Sequence, residues 1–306
     1  MMTKEKINHF FIFLFPLRPI KTFRSILIVS ILASLIALSF VLNTLSIKIP
    51  GVGMSISFSW IPTIIIGWFF GPIIGMFMGA LIDTLNWLIF GGFWFWLYAI
   101  QEPCVGLFTG IISSIYNLYF YNKKRTKIAI IINQIFIFIF TTLTLFFIYF
   151  YTSNNNPIYN QLIQNGQIPE KMNSIFRYVI SSVLILFVII VEIIIFINYF
   201  RHKNEKHINQ NKLLIFLFIS FISISITFIF SFILGPVSAI KYYEFINNKT
   251  PPNLLKYGVI YYLLPRIIKE SIKTPIYIGL LSAIIFSITP IFQKVKANAI
   301  NTYKYD

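Results

Sequence analysis

The feature that most constrains this chain is a series of long apolar runs that recur from one end to the other. They lie at 25–45, 56–70, 72–90, 97–120, 128–152, 174–200, 213–235 and 264–292. About 20 apolar residues in an α-helix cross the roughly 30 Å hydrocarbon core of a bilayer, where the backbone must satisfy its own hydrogen bonds. Hydrophobic residues make up 57% of the 306-residue chain, and the mean hydropathy is +0.79. We therefore predict an all-α polytopic membrane protein with about eight transmembrane helices.

The basic residues indicate topology rather than a nucleic-acid surface. The chain has 25 Lys and Arg against 9 Asp and Glu, and its cations concentrate between the apolar runs. Cytoplasmic loops carry an excess of Lys and Arg. Because the two terminal segments and the loops 122–127 and 201–212 are the richest in cations, we expect both termini to be cytoplasmic. The predicted organisation is a basic cytoplasmic segment at 1–24, a multi-pass plasma-membrane domain at 25–292 and a cytoplasmic tail at 293–306.

The stretch 58–90 is the part around which we expect the other helices to be arranged. Gly71-Pro72 divides it into two helices, because proline has no amide hydrogen to continue the first helix and fits the first turn of the second. Gly71, Gly75 and Gly79 form a stripe without side chains, against which another helix can pack closely in lipid. The first apolar run has a second small-residue face, which is formed by Ala33 and Ala37 and is typical either of packing within one chain or of docking to another.

Polar and aromatic residues from distant positions are predicted to converge on the outer side of the membrane. They are the loop 46–55, the aromatic turn 91–96 with Trp94 and Trp96, Asp83, Glu102 and the start of the last apolar run. A carboxylate is costly at a bilayer centre, so Asp83 must lie near a helix end or face a polar cavity. Trp94 and Trp96 fit two roles, because tryptophan is common at membrane interfaces and also stacks on planar ligands.

The last apolar run begins with cations on one helix face. Arg266, Lys269 and Lys273 recur at three- and four-residue spacing, and Glu270 is placed to pair with Arg266. Long cationic side chains near a helix end often reach only to the lipid headgroups. Three cations over two turns also suit an anionic ligand, for which carboxylates are the obvious candidates. An ion-pair network with the carboxylates of earlier helices, which needs no ligand, is the alternative.

Patterns of catalysis, nucleotide binding and metal binding are absent from the sequence. It contains no Walker A loop, no HExxH, no GxSxG and no Ser/His constellation, and Cys104 is the single cysteine. We therefore expect neither an enzyme nor a resident cofactor or metal. Any work driven by ATP would require another subunit.

Three separated motifs resemble the substrate-binding S components of energy-coupling factor (ECF) vitamin transporters, and most of all the folate branch. The run ISFSWIPTIIIGWFFGPIIGMFMGALID at 56–83 matches the signature at Phe58, Pro62, Gly67, Gly71, Pro72, Gly75, Gly79, Ala80 and Asp83. The Ala33 and Ala37 pair resembles the motif by which these subunits dock on the transmembrane coupling protein. The run LLPRIIKESIKTPIYIGLL at 263–281 is similar to the family's last helix, with Arg266, Lys269 and Pro275 in place.

The resemblance implies a membrane-embedded S subunit of an ECF-type ABC importer that binds a vitamin, folate or a related pterin, from outside. Its partners would be the vitamin, a coupling protein, two ATPase subunits and membrane lipid, without nucleic acid. The implied core is the family's six helices, so a helix pair would be added here. The substrate site that we predict from the residues themselves consists of Trp60, Asp83, Trp87, Trp94, Trp96, Gln101, Glu102, Arg266 and Lys269. The alternatives are a standalone ion-coupled secondary transporter, an S component for another vitamin such as riboflavin, and a membrane-embedded enzyme or assembly factor.

Overall fold

The computed structural model describes residues 13–16, 25–49, 54–121, 126–151, 170–203 and 207–302. In chain order its elements are α1 (Ile26–Thr44), β1 (Ile47–Ile49), β2 (Met54–Ile56), α2 (Trp60–Phe70), α3 (Pro72–Phe90), α4 (Trp96–Ala99), α5 (Gln101–Ile115), α6 (Thr126–Tyr151), α7 (Glu170–Lys203), α8 (His207–Ile226), α9 (Leu234–Asn247), α10 (Pro252–Tyr257) and α11 (Ile260–Thr302). Two π-helical turns, Tyr116–Tyr121 and Thr227–Ile233, follow α5 and α8 directly. Helices therefore account for nearly all of the described chain.

Six helical segments among the described residues are long and apolar enough to cross a membrane, which confirms a helical membrane protein. They are Ile26–Thr44, Pro72–Phe90, Trp96–Phe120, Ile128–Phe146, Lys212–Asn247 and Lys273–Lys294. The other two predicted spans fall on α2 and on α7, within which apolar sequence of the membrane type is found at Ser181–Ile197. At 1.5 Å per residue the 11 residues of α2 extend about 16 Å, too little to cross a bilayer alone. Helices thus occupy all eight predicted runs in the described chain, and α2 is too short to be a full span.

The segment between α1 and α2 contains a short β-hairpin where the sequence predicted only a loop. β1 and β2 pair in antiparallel fashion, with Ile47 opposite Ile56 and Ile49 opposite Met54. β-Branched residues at alternate positions, such as Ile47 and Ile49, favour such pairing. Residues 50–53, whose Pro and Gly favour a loop, lie outside the described residues.

The chain divides into two compact units, of which unit 1 comprises Met1–Ala129, Lys206–Ile222 and Tyr277–Asp306. The short helix α2 forms the core of this unit, and Ile64 and Ile66 within it have no solvent exposure. Phe70 at its end packs edge-on against Phe292 of α11, with ring centroids 5.1 Å apart. The most deeply buried helix of unit 1 is thus one that is too short to span the membrane.

Unit 2 comprises Ile130–Glu205 and Ser223–Ile276. Phe140 of α6 packs against Phe228 and Phe232 of the π turn, with ring centroids 4.8 and 6.0 Å apart. Leu184 and Val191 of α7 are buried as well. The core of this unit is therefore formed by apolar side chains of α6, α7 and the π turn.

The predicted end of the apolar run 213–235 is wrong as a helix end, because the helix continues to Asn247. The π turn ends at Ile233 and α9 follows it directly, with Pro236 as its third residue. The helix ends at Asn248, whose φ of 50° lies in the left-handed region. A Gly-Pro pair thus marks the change from π to α geometry here rather than the end of a span.

Candidate functional site

The backbones of α2 and α3 both lie very close to the backbone of α5 in unit 1. A Cβ added at Gly75 would lie 2.5 Å from the Gly106 carbonyl oxygen, and one at Gly67 would lie 2.6 Å from the same atom. A Cβ at Gly79 would lie 2.7 Å from the Glu102 carbonyl oxygen. These separations exclude any side chain, and such close approach is how helices associate in lipid. The contact places the first turn of α5, with Glu102, directly against α3.

Gly71 has a different role from the other glycines of the predicted stripe. It lies between α2 and α3 with a φ of 91°, and Pro72 begins α3. A Cβ at Gly71 would collide with the side chain of Pro16. The predicted break at Gly71-Pro72 is confirmed, and both the backbone conformation and the space at Gly71 require glycine.

Thr63, Asp83 and Glu102 form what we call the carboxylate cluster of unit 1. Thr63 Oγ1 donates a hydrogen bond of 2.7 Å to Glu102 Oε1, and both residues are buried. Asp83, half-buried on α3, lies close enough to Glu102 for an electrostatic interaction. Within the described chain neither carboxylate has a Lys, Arg or His partner within 4.0 Å. A buried carboxylate that is hydrogen-bonded to a neutral hydroxyl can accept a further hydrogen bond from a ligand, bind a cation or take up a proton.

The residues around this cluster include Gln101, which is buried at the start of α5, and Trp60, which is half-buried at the start of α2. Trp87, Trp94 and Trp96 are 39%, 53% and 58% exposed on unit 1. Trp87 Nε1 donates a hydrogen bond of 3.0 Å to the Gly92 carbonyl oxygen. The indoles therefore present ring surface outside the protein core, which suits both an interfacial belt and stacking on a ligand.

Arg266, Lys269, Glu270 and Lys273 form what we call the cationic cluster of unit 2, all on α11. Lys269 Nζ lies 3.2 Å from Glu270 Oε1, and Lys273 Nζ lies 3.9 Å from the same oxygen. Both lysine side chains are only 12% exposed, and that of Glu270 is 5% exposed. Glu270, which the sequence placed opposite Arg266, is thus the shared partner of the two lysines.

The π turn supplies hydroxyl groups to the cationic cluster. Ser231 Oγ donates a hydrogen bond of 3.1 Å to Glu270 Oε1. Thr274, one turn after Glu270 on α11, shares a 2.9 Å hydrogen bond with Thr227. Ser231 thus contacts Glu270 from the π turn, and the Thr227–Thr274 hydrogen bond connects the same turn to α11.

Gly235 makes room for the guanidinium of Arg266, since an added Cβ would collide with that group. Sequence reasoning missed Gly235, together with Thr227 and Ser231. The signal that could have found them is their spacing, because small or polar residues recur every four positions within an otherwise apolar run. That spacing places them on one helix face, which here faces Arg266 and Glu270.

Ala33 and Ala37 are exposed on α1, whereas Leu32 and Leu35 are buried in unit 1. The small-residue face therefore points away from the unit rather than into its core. An exposed face of this kind can be approached closely by a helix of another chain.

The described residues contain no group of three or more His, Cys, Asp or Glu that could hold a metal ion.

The helices and the buried polar clusters define a multi-pass membrane protein with internal polar sites. The chain belongs to the family of ECF transporter substrate-specific components, whose family model matches residues 24–196. Members of this family are substrate-binding subunits of transporters and not enzymes. The carboxylate cluster lies within the matched residues, and the cationic cluster lies beyond them.

Two curated relatives are similar over most of their length. The uncharacterized protein MG313 homolog of Mycoplasma pneumoniae is 31% identical over 274 residues, which cover 89% of this chain and 93% of the relative. The uncharacterized protein MG313 of Mycoplasma genitalium is 31% identical over 271 residues, which cover 87% of this chain and 91% of the relative. Because 274 aligned residues do not fit within 24–196, the relatives share chain beyond the family match.

Proposed function

We propose that this protein is the membrane-embedded substrate-binding subunit of an ECF-type importer for a vitamin, folate or a related pterin. Its partners in this proposal are a transmembrane coupling protein and two ATPase subunits, and both of its termini face the cytoplasm. The observation that carries the proposal is the family match over 24–196, which includes the buried carboxylate cluster. Vitamin entry from outside and delivery inside follow from the role of such a subunit.

The residues of unit 1 suit the ring of a pterin. A pterin presents amino and ring N–H donors along one edge, and a carboxylate accepts two such donors side by side. Glu102 is a buried acceptor, Gln101 beside it is also buried, and Asp83 is half-buried nearby. Trp60, Trp87, Trp94 and Trp96 are the proposed stacking residues for the planar ring.

The cations of unit 2 suit a carboxylate group of a vitamin, and this assignment is proposed independently of the residues of unit 1. Arg266 can form a bidentate pair with a carboxylate, and Lys269 provides a second positive charge on the same helix face. Each of the two residue sets is tested separately by substitution, so either assignment can fail without the other.

Calorimetry on the purified chain tests the substrate directly. The chain in detergent is titrated with folate, riboflavin, thiamine, pantothenate and biotin. Folate is expected to bind most tightly, and Glu102→Gln and Arg266→Ala are each expected to weaken its binding by about tenfold or more, which is about 1.4 kcal/mol. Tight binding of an uncharged ring compound that Arg266→Ala leaves unchanged would contradict the assignment of the cations.

Docking on the coupling protein is tested through the exposed alanines. Ala33→Trp and Ala37→Trp are expected to leave folate binding intact and to abolish association with the coupling protein and uptake. Leu38→Trp is the matched control, because Leu38 is exposed on the same helix but lies about 100° around its axis from Ala37. Normal complex assembly in both alanine variants removes the docking role from this face.

A standalone ion-coupled transporter is the second candidate, and the carboxylate cluster favours it. Glu102 is buried with Asp83 nearby and has a threonine as its recorded hydrogen-bond partner. Intramembrane carboxylates without cation partners are common in proton and cation relays. Uptake by this chain alone, driven by an ion gradient, would support this candidate over the ECF assignment.

A further inference from the structure

Residues 13–16, which precede the first membrane helix, contact two other parts of unit 1 at once, and we call them the strap. Ser114 Oγ, in the last turn of α5, donates a hydrogen bond of 2.7 Å to the Phe13 carbonyl oxygen. The side chain of Pro16 lies against Gly71, where an added Cβ would collide with it. The strap therefore connects the end of α5 to the junction between α2 and α3.

α3 and α5 run in opposite directions, and a line of backbone contacts leads from the carboxylate cluster to the strap. In each contact a Cβ added at a glycine would collide with the opposite backbone, and the facing pairs are Gly79 with Glu102, Gly106 with Gly75, and Gly110 with Pro72. From Glu102 to Ser114 this line follows α5 for about 18 Å at 1.5 Å per residue. Because packed protein interiors are hardly compressible, a displacement at one end of the line is transmitted to the other.

The strap is held less firmly than the helices that it contacts. Its residues are only half-buried, and within the part of the chain that the structure describes it is held by the Ser114 hydrogen bond and the packing on Gly71. By contrast, Ile64 and Ile66 of α2 have no solvent exposure. Segments with few buried apolar contacts open at a much lower free energy than a core does. The strap can therefore detach while α2, α3 and α5 stay folded.

From this geometry we infer that the strap controls how fast a ligand leaves the carboxylate cluster. While the strap is bound, it holds the far ends of α3 and α5 together, and Glu102 stays packed against α3. When the strap detaches, the two helices separate from that end, the first turn of α5 loosens and the ligand dissociates. The inference rests on the proposed function in that it takes unit 1 to bind the ligand, but it does not depend on which vitamin is bound.

Hydrogen–deuterium exchange of the purified full-length chain in detergent tests the inference without a ligand. Ser114→Ala and Pro16→Ala each remove one contact of the strap. Ser114→Ala is expected to speed amide exchange around Glu102 by about fivefold, which is the effect of one ordinary hydrogen bond on an equilibrium between two states. Pro16→Ala is expected to change exchange there in the same direction. In both variants exchange in α7 of unit 2 is expected to stay as in the wild type.

Ser287→Ala is the matched control for the lost hydroxyl. Ser287 lies in unit 1 and also donates to a backbone carbonyl oxygen, that of Ala283 at 2.9 Å, but it is exposed on α11. It is expected to leave exchange around Glu102 unchanged. Should Ser114→Ala fail to fold, Pro16→Ala decides the question, because the Pro16 side chain is only half-buried. Faster exchange that is confined to the end of α5, or that is equal in units 1 and 2, overturns the inference.

The dissociation rate of labelled folate separates this inference from the proposed function. Ser114→Ala is expected to raise that rate by about fivefold, Pro16→Ala is expected to raise it as well, and Ser287→Ala is expected to leave it unchanged. Faster exchange around Glu102 in a chain that binds no folate keeps the inference and removes folate as the ligand. Folate binding with a dissociation rate that both strap variants leave unchanged overturns the inference and keeps the proposed function.

Discussion

The carboxylate cluster of unit 1 and the cationic cluster of unit 2 hold buried ionisable side chains between packed helices in two different ways. Glu102 is buried beside a glycine contact so close that no side chain fits, and its recorded hydrogen bond comes from neutral Thr63. Glu270 is held by two lysines and by a serine from a π turn, where the regular helix is widened. One cluster is therefore shaped by tight backbones, and the other by compensating charges.

This difference indicates which kind of substitution each cluster is sensitive to. The carboxylate cluster depends on helix packing, since α3 and α5 must touch for Glu102 to be buried. The cationic cluster depends on charge balance, since removing the single carboxylate leaves three cations together. The family match includes the first cluster and not the second.

The largest loss of folded protein is expected from Gly106→Leu, which places a side chain where α3 and α5 touch. A Cβ there would collide with the Gly75 carbonyl oxygen, and backbone atoms cannot move aside as a flexible side chain can. The variant is expected to lose folded protein, because overpacking at side chains already costs about 1–3 kcal/mol and here two backbones must separate. Size-exclusion chromatography in detergent measures the folded fraction.

Gly279→Leu is its control, since a Cβ at this glycine of α11 meets nothing within 4 Å. It is expected to give a normal elution profile. A folded Gly106→Leu variant with unchanged folate binding would break the argument that packing positions Glu102.

The next largest effect separates the two buried glutamates. Glu270→Gln removes the charge that Lys269 and Lys273 share, and breaking a buried ion pair costs about 3–5 kcal/mol. Glu102→Gln keeps an oxygen that accepts the Thr63 hydrogen bond, so its cost is expected to be about 1 kcal/mol or less. Free energies of unfolding in mixed micelles compare the two variants.

Glu244→Gln controls for loss of an ion pair at the surface, because its partner Lys241 is mostly exposed. Its cost is expected to be about 0–1 kcal/mol. Equal losses of unfolding free energy in Glu270→Gln and Glu102→Gln would show that charge balance does not distinguish the clusters.

The smallest effect is expected from Thr63→Val, which removes a single hydrogen bond to Glu102. Hydrogen bonds between membrane helices contribute about 0.6 kcal/mol on average and up to about 1.7 kcal/mol. Thr63→Ser keeps the hydroxyl and is expected to retain wild-type stability. If Thr63→Val lowered the free energy of unfolding as much as Glu270→Gln does, helix packing would not be what stabilises the carboxylate cluster.

Much of the architecture follows from local sequence. The apolar runs predict the membrane helices because each must satisfy its backbone internally, and the break between α2 and α3 follows from Gly71-Pro72. The glycine spacing predicts a close helix contact, but it does not name Gly106 as the partner, since any helix with a small-residue face would fit. The shortness of α2 follows from the same break, because Gly71-Pro72 ends an apolar run that begins only at Ile56.

The parts that sequence did not predict depend on contacts between distant segments. The π turn at Thr227–Ile233 and the continuation of the helix past Gly235 depend on how that turn packs against α11. Ser231 is an ordinary serine by its local sequence, and its role arises from Glu270, which lies 39 positions later. Tertiary packing thus supplied the polar environment, while local sequence supplied the helices.

Uptake into proteoliposomes tests the central claim most directly. Vesicles containing this chain alone, or together with the coupling protein and both ATPase subunits, are given labelled folate outside and ATP inside. The account predicts uptake that requires the partner subunits and ATP hydrolysis and that is lost in Ala37→Trp. Uptake by this chain alone under a proton or sodium gradient, unchanged when the partners and ATP are omitted, would contradict it.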